Sequence, residues 1–164
     1  MPFLIPTRAL TKVTDITPKL LRDMKVEAVL LDVDNTLALH GSQIPFPGTV
    51  EWSRKIRSAG FKIIIMSNNF SRRVRPFAAK YGLPFVSMAF KPLPMAYLRA
   101  ARRLGVDRGK AAAVGDQIFT DVLGANLAGM KSILLLPAAE ENSLSFRIRR
   151  GLEKPLRRKI GRNA

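Results

Sequence analysis

Three short aliphatic runs in this chain each end on a small polar or acidic side chain, and that repetition limits the fold more than any other feature. Ala28–Leu31 runs into Asp32, residues 61–66 run into Ser67, and Ala111–Gly115 runs into Asp116. A strand buried on both faces reads as unbroken aliphatic sequence, and an open α/β sheet gathers its chemistry beyond the carboxyl ends of such strands. Residues 84–88 read as a further strand and residues 132–136 as a fifth. Helical segments separate them. One opens at Gly48 and Thr49, runs to about Ser58 and stops at Gly60; another is capped by Ser71, with Pro76 expected to break or delay it before Ala78. A third carries Leu93, Tyr97, Ala100 and Leu104 at helical spacing and closes on Gly105. Alternating strands and helices with short connections predict a three-layer α/β fold with a mostly parallel sheet and right-handed crossovers.

The polar residues at the strand ends form a constellation. Asp32 and Asp34 stand one residue apart behind the first strand, and two carboxylates so close repel each other unless a cation or a shared proton intervenes. Lys91 brings a cation to a helix start, and Asp121 follows Asp116 by five residues at the opening of another helix. Taken singly, Ser67 reads as a helix cap, Lys91 as a surface lysine, and Asp116 and Asp121 as turn residues. Their common placement at strand ends joins them into one candidate site.

In this order the residues resemble the four motifs of the haloacid dehalogenase-like (HAD) superfamily of phosphohydrolases. Asp32-Val33-Asp34-Asn35-Thr36 resembles its first motif, Ser67 its second, Lys91 its third, and Gly115-Asp116-Gln117-Ile118-Phe119-Thr120-Asp121 its fourth, within residues 27–136. The wording of the motifs is most similar to subfamily IIIA, to bacterial YqeG-type proteins and to the related mitochondrial phosphatidylglycerophosphate phosphatases. The resemblance implies a Rossmann-like catalytic domain and a covalent phosphatase mechanism. Only residues 37–47 lie between the first motif and the first helix, and only 23 residues separate Ser67 from Lys91, so the expected enzyme is capless with an open site.

A phosphate monoester is a dianion, so a carboxylate nucleophile approaches it only when charge is neutralised. Mg²⁺ is the expected cofactor, because carboxylates without Cys or clustered His suit a hard oxygen-seeking cation. Asp32 is expected to be nucleophile and metal ligand, and Asp34 to be general acid and then base, its main-chain carbonyl a metal ligand by the resemblance. Asp116 completes the expected metal set with Asp32 and Asp34, while Asp121 is expected to act through water or directly. Ser67 is expected to donate to a phosphoryl oxygen, Lys91 to offset charge on nucleophile and phosphate, and Thr36 to support the loop. His40, in the short segment after the first motif, reads as a solvated loop histidine.

Charge supplies the remaining clue. The 28 Lys and Arg outweigh 12 Asp and Glu, giving +16, and residues 142–164 alone carry +7. The chain divides into an amino-terminal extension (1–26) packing on the core or on a surface, a catalytic domain (27–141) and a basic tail (142–164). In the tail Leu144, Ile148, Leu152, Leu156 and Ile160 recur every fourth residue, with Arg147, Arg150, Lys154, Arg157 and Arg158 mainly opposite, although Gly151 and Pro155 argue against one straight helix. Such a helix suits an anionic bilayer surface, where each Lys or Arg contributes about 1 kcal/mol. RNA or the ribosome is the other polyanionic partner, without a recognisable RNA-binding motif to support it. No apolar run approaches the roughly 18 residues needed to span a membrane, and there is no Cys. The expectation is a cytoplasmic enzyme, peripheral on the inner face of the membrane, that hydrolyses phosphatidylglycerophosphate. The alternatives are a phosphatase for a soluble sugar phosphate or nucleotide and a ribosome- or RNA-associated module.

Overall fold

A computed structural model describes residues 2–138 and 144–161, with the side chains of 147–161 described in the second segment. Six parallel strands form one sheet among the described residues: β1 (Arg8–Leu10), β2 (Ala28–Leu31), β3 (Lys62–Met66), β4 (Phe85–Val86), β5 (Ala111–Gly115) and β6 (Lys131–Leu135), in the order β1-β6-β5-β2-β3-β4. Helices α1 (Pro18–Asp23), α2 (Thr49–Ser58), α3 (Ser71–Tyr81), α4 (Pro94–Arg103), α5 (Leu123–Leu127) and α6 (Leu144–Gly161) complete the fold.

β2 is central, and every residue in it is buried. Val29 and Leu31 face α2 and α3 in a core with Trp52, Ile56, Val74, Phe77 and Tyr81, whereas Leu30 points the other way, into a core with Tyr97, Ala100 and Ala125. The two cores on opposite sheet faces are the expected three layers. Each fully buried Leu or Ile contributes about 1.5–3 kcal/mol relative to an exposed one, so the central strands are held chiefly by this burial.

One element was not foreseen and three local expectations are corrected. The amino-terminal segment adds the unforeseen edge strand β1, in register Ala9 to Leu134, while its Val13, Ile16 and Leu21 join the first core and the Trp52 indole donates to the Ile16 carbonyl at 2.8 Å. Pro76 sits inside an unbroken α3, because burial of Val74, Phe77, Ala78 and Tyr81 outweighs one lost backbone hydrogen bond. The strand predicted over 84–88 stops at Val86, because Met88 and Phe90 adopt positive φ angles of 46° and 51° and turn the chain towards Lys91. The tail forms one helix through Gly151 and Pro155.

That helix does not carry one uniform apolar face. Leu156 and Ile160 pack with Leu4, Ile118, Val122 and Leu134, whereas Ile148 and Leu152 are exposed; the side chain of Leu144 lies outside the described residues. Arg150 and Arg157, expected to face away with the other basic residues, instead fold towards the end of β5. No helix among the described residues is long and apolar enough to cross a membrane.

Candidate active site

The parallel register brings the carboxyl ends of β5, β2 and β3 side by side, with Leu31 opposite both Val114 and Ile65. Asp32, Ser67 and Asp116 are each the next residue after one of these strands. Main-chain bonds extend the sheet into the site: the Asp32 N–H donates to the Val114 carbonyl at 3.0 Å, and the Ser67 N–H to the Val86 carbonyl at 2.9 Å. Positioning by sheet backbone, rather than by loops alone, is what makes the geometry rigid.

Asp32, Lys91, Asp116 and Asp121 form a buried charged cluster. The Lys91 ammonium donates to Asp32 Oδ1 at 2.5 Å and to Asp121 Oδ1 at 2.7 Å. Burial raises the Asp32 carboxyl well above its ordinary range; Lys91 opposes that shift, and Asp121 and Asp116 reinforce it. Burial alone would lower Lys91, but Asp121 and Asp32 together hold it above its usual value. Asp116 is pushed up to about 6 by burial and by Asp121, against the counter-charge of Arg150.

One oxygen from each of Asp32, Asp116 and Asp121 lies within 4.8 Å of the others. Oδ1 of Asp116 is buried and has no hydrogen-bond partner among the described residues. An all-oxygen set with an unmatched carboxylate oxygen fits a hard divalent cation. Asp121 reaches this cluster because the turn Ile118–Val122 folds it back against Gly115. A Cβ at position 115 would stand 2.2 Å from Asp121 Cγ, so only glycine admits that carboxylate.

Asp34 projects apart from the cluster. Its Oδ1 accepts from the Gly41 N–H at 3.1 Å and from Arg73 at 2.8 Å, and its Oδ2 accepts from the Asn69 amide at 2.9 Å. Its carboxylate is therefore held in one orientation beside the cleft rather than gathered among the other three acids. Ser67 is buried and bonded to the Asn69 side chain and N–H, each at 3.2 Å. Thr36 is buried as well; its N–H bonds the Val33 carbonyl at 3.2 Å, while its hydroxyl has no hydrogen-bond partner among the described residues. His40 is half-exposed, with Nδ1 3.5 Å from Asp34 Oδ1.

Asp32, Asp34, His40, Ser67, Lys91 and Arg149 share the lining of one open cleft. Sequence reasoning assigned no role to Asn69, Arg73 or Arg149. Arg73 had a readable signal, since it lies in the first turn of a helix that begins just behind Ser67. Arg149 had none, because it reaches the cleft from the far end of the chain.

A parallel α/β sheet with paired acids at its central strand end, a buried lysine and a distal acidic loop defines a hydrolase site of a known kind. A sequence profile of the haloacid dehalogenase-like hydrolases matches residues 13–129. The chain belongs to that family. It is 34% identical over 152 residues to the probable phosphatase YqeG of Bacillus subtilis, covering 93% of this chain and 88% of that one. A shorter similarity, 30% over 98 residues, links it to the glyceraldehyde 3-phosphate phosphatase of Methanopyrus kandleri, spanning 54% of this chain and 42% of that one. Its fold matches the cobalt-bound deoxy-D-mannose-octulosonate 8-phosphate phosphatase of Haemophilus influenzae with a TM-score of 0.55 at 18% identity, over 80% and 89% of the two chains.

Proposed function

We propose that this chain is a Mg²⁺-dependent phosphomonoesterase that works through an aspartyl-phosphate on Asp32, with phosphatidylglycerophosphate as substrate and phosphatidylglycerol and phosphate as products. The observation that carries the chemistry is the convergence of Asp32, Lys91, Ser67 and the separately held Asp34 on one open cleft. Asp32, Asp116 and the Asp34 carbonyl would hold the cation, with Asp121 beside them; when bound it neutralises charge on nucleophile and phosphate.

Asp32 attacks phosphorus, forming an Oδ–P bond as the bond to the ester oxygen breaks. Asp34, fixed by Arg73, Asn69 and Gly41, gives its proton to the departing alkoxide. It then takes a proton from water, whose oxygen attacks phosphorus and frees Asp32 and inorganic phosphate. Ser67 donates to a phosphoryl oxygen, and the Lys91 ammonium opposes the effect of burial on Asp32, favouring the carboxylate form that attacks phosphorus.

The lipid reading has support in the cleft rim. Leu39, Phe70, Phe90 and Ile148 are all exposed, and each adjoins in sequence a cleft-lining residue: His40, Asn69, Lys91 and Arg149. Apolar side chains beside a cationic wall suit a phospholipid headgroup presented at an anionic surface. The absence of a cap in residues 37–47 and 68–90, and the resemblance to subfamily IIIA and the mitochondrial phosphatidylglycerophosphate phosphatases, point the same way. The enzyme then works from the cytoplasm, peripheral on the inner face of the membrane.

Phosphate release from phosphatidylglycerophosphate in anionic vesicles with Mg²⁺ tests this, with Asp32→Asn as control. Strong Asp32-dependent preference over soluble monoesters is the expected result. Asp32-dependent turnover of soluble esters alone would favour the second reading, a sugar-phosphate phosphatase, which the similarity to the glyceraldehyde 3-phosphate phosphatase supports. RNA binding that survives Asp32→Asn, with no turnover of any ester, would favour a ribosome- or RNA-associated module.

A further inference from the structure

The carboxy-terminal helix reaches the metal loop through three charged residues. Arg150 donates to Asp116 Oδ2, and also to the Asp116 carbonyl at 3.0 Å. Arg157 donates to the same carbonyl. Between the two arginines lies Glu153, 1% exposed, which accepts from the Ile118 N–H at 2.8 Å, from Arg157 Nη2 at 3.1 Å and from Arg150 Nη1 at 3.4 Å. A buried glutamate flanked by two arginines fixes both forks, and its bond to Ile118 ties them to the turn that carries Asp121.

We propose that α6 is a working wall of the active site, with Arg150 the residue that positions Asp116 for its cation. The guanidinium takes Oδ2 and the main-chain carbonyl, so the carboxylate cannot rotate, and the oxygen it leaves over is the buried, unpartnered Oδ1. A ligand held by an outer hydrogen bond meets its metal without first being ordered, and loss of such a bond typically costs 10- to 100-fold in affinity. The inference rests on the reading of Asp116 as a metal ligand.

Electrostatics and positioning predict opposite signs here. A guanidinium beside a cation site repels the cation, so if Arg150 merely competed for Asp116, its removal would tighten binding. If it positions Asp116, its removal weakens binding although a positive charge is lost.

The test is Mg²⁺ titration of the full chain followed by calorimetry and by the Mg²⁺-induced rise in Tm. Arg150→Ala is expected to weaken Mg²⁺ binding 10- to 100-fold, and Arg150→Lys, which keeps one donor, to recover part of the loss. Arg158→Ala removes the same charge from an exposed position on the same helix and is expected to leave the titration unchanged. Circular dichroism of each variant without metal separates loss of the fold from loss of positioning; should Arg150→Ala not fold, Arg150→Lys carries the comparison, with an affinity below wild type expected. Unchanged or tighter Mg²⁺ binding by a folded Arg150 variant overturns the proposal. Should Asp116→Asn bind Mg²⁺ like wild type, it is the metal assignment of Asp116 that falls, and the proposal with it.

Discussion

Lys91 Nζ lies 2.5 Å from Asp32 Oδ1 in a site where both side chains are less than a tenth exposed. The same ammonium holds Asp121, so removing it leaves buried carboxylates without their cation. Breaking a buried ion pair from one side costs about 3–5 kcal/mol, and losing a donor aimed at developing charge costs about 10²–10³ in kcat. Lys91→Met is therefore expected to lower the metal-free Tm sharply, and added Mg²⁺ should recover more stability in the variant than in wild type. Thermal melts with and without Mg²⁺, together with steady-state kinetics, check both halves.

The acidic cluster makes metal-free stability depend on pH in a direction set by its raised carboxyls. Asp32 is held well above 3.8 and Asp116 at about 6, so the folded chain keeps protons that the unfolded chain releases. Their contribution is whole below about pH 4 and is lost as pH rises through the folded values, near 6 for Asp116. Relative to Asp116→Asn, the metal-free wild type is expected to lose stability on the order of 2–3 kcal/mol between pH 4 and 7. Saturating Mg²⁺ should offset that loss above pH 6. Denaturant unfolding of both proteins across this range measures it.

Arg73 joins the loop after β2 to helix α3, donating to Asp34 Oδ1 and to the Gly41 carbonyl, each at 2.8 Å. Arg73→Ala removes one of the three donors that hold Asp34, the proposed general acid, leaving Gly41 and Asn69. The expected loss in kcat is about 10- to 100-fold with a poor leaving group and much smaller with p-nitrophenyl phosphate, whose leaving group needs little protonation. Equal losses with both substrates would mean that Arg73 acts elsewhere.

The central strands and their polar ends were legible because burial on both sheet faces leaves an unbroken aliphatic run, and the residue behind it is presented at the site. Strands β2, β3 and β5, with Asp32, Ser67 and Asp116, are all of this kind. Strand β1 was not legible: three residues beginning with an arginine carry no periodic signal, and its pairing to β6 crosses more than 120 positions of sequence. The early end of β4 depended on the backbone turns at Met88 and Phe90, which nothing in those residue types demands. The basic tail misled for a related reason. Helical spacing separates apolar from basic positions but does not say which basic residues a distant buried acid will claim, and Asp116 claims Arg150 from 34 residues away.

At Gly115 an added methyl group is expected to displace Asp121 from the acidic cluster without touching charge. The added Cβ would meet Asp121 Cγ at 2.2 Å, forcing either the strand end or the carboxylate aside. Gly115→Ala should cost about 1–3 kcal/mol in stability and weaken Mg²⁺ binding at least 10-fold. Calorimetric titration beside a thermal melt reads both.

Covalent chemistry at Asp32 is the central claim, and trapping the intermediate tests it most directly. In Asp34→Asn the first step still proceeds with p-nitrophenyl phosphate, but no base activates water for the second. After acid quenching and proteolysis, mass spectrometry is predicted to find phosphate on the peptide containing Asp32, at the Asp32 side chain, and none in an Asp32→Asn, Asp34→Asn double variant. Turnover by Asp32→Asn near the wild-type rate, or phosphate on another residue, would contradict the account.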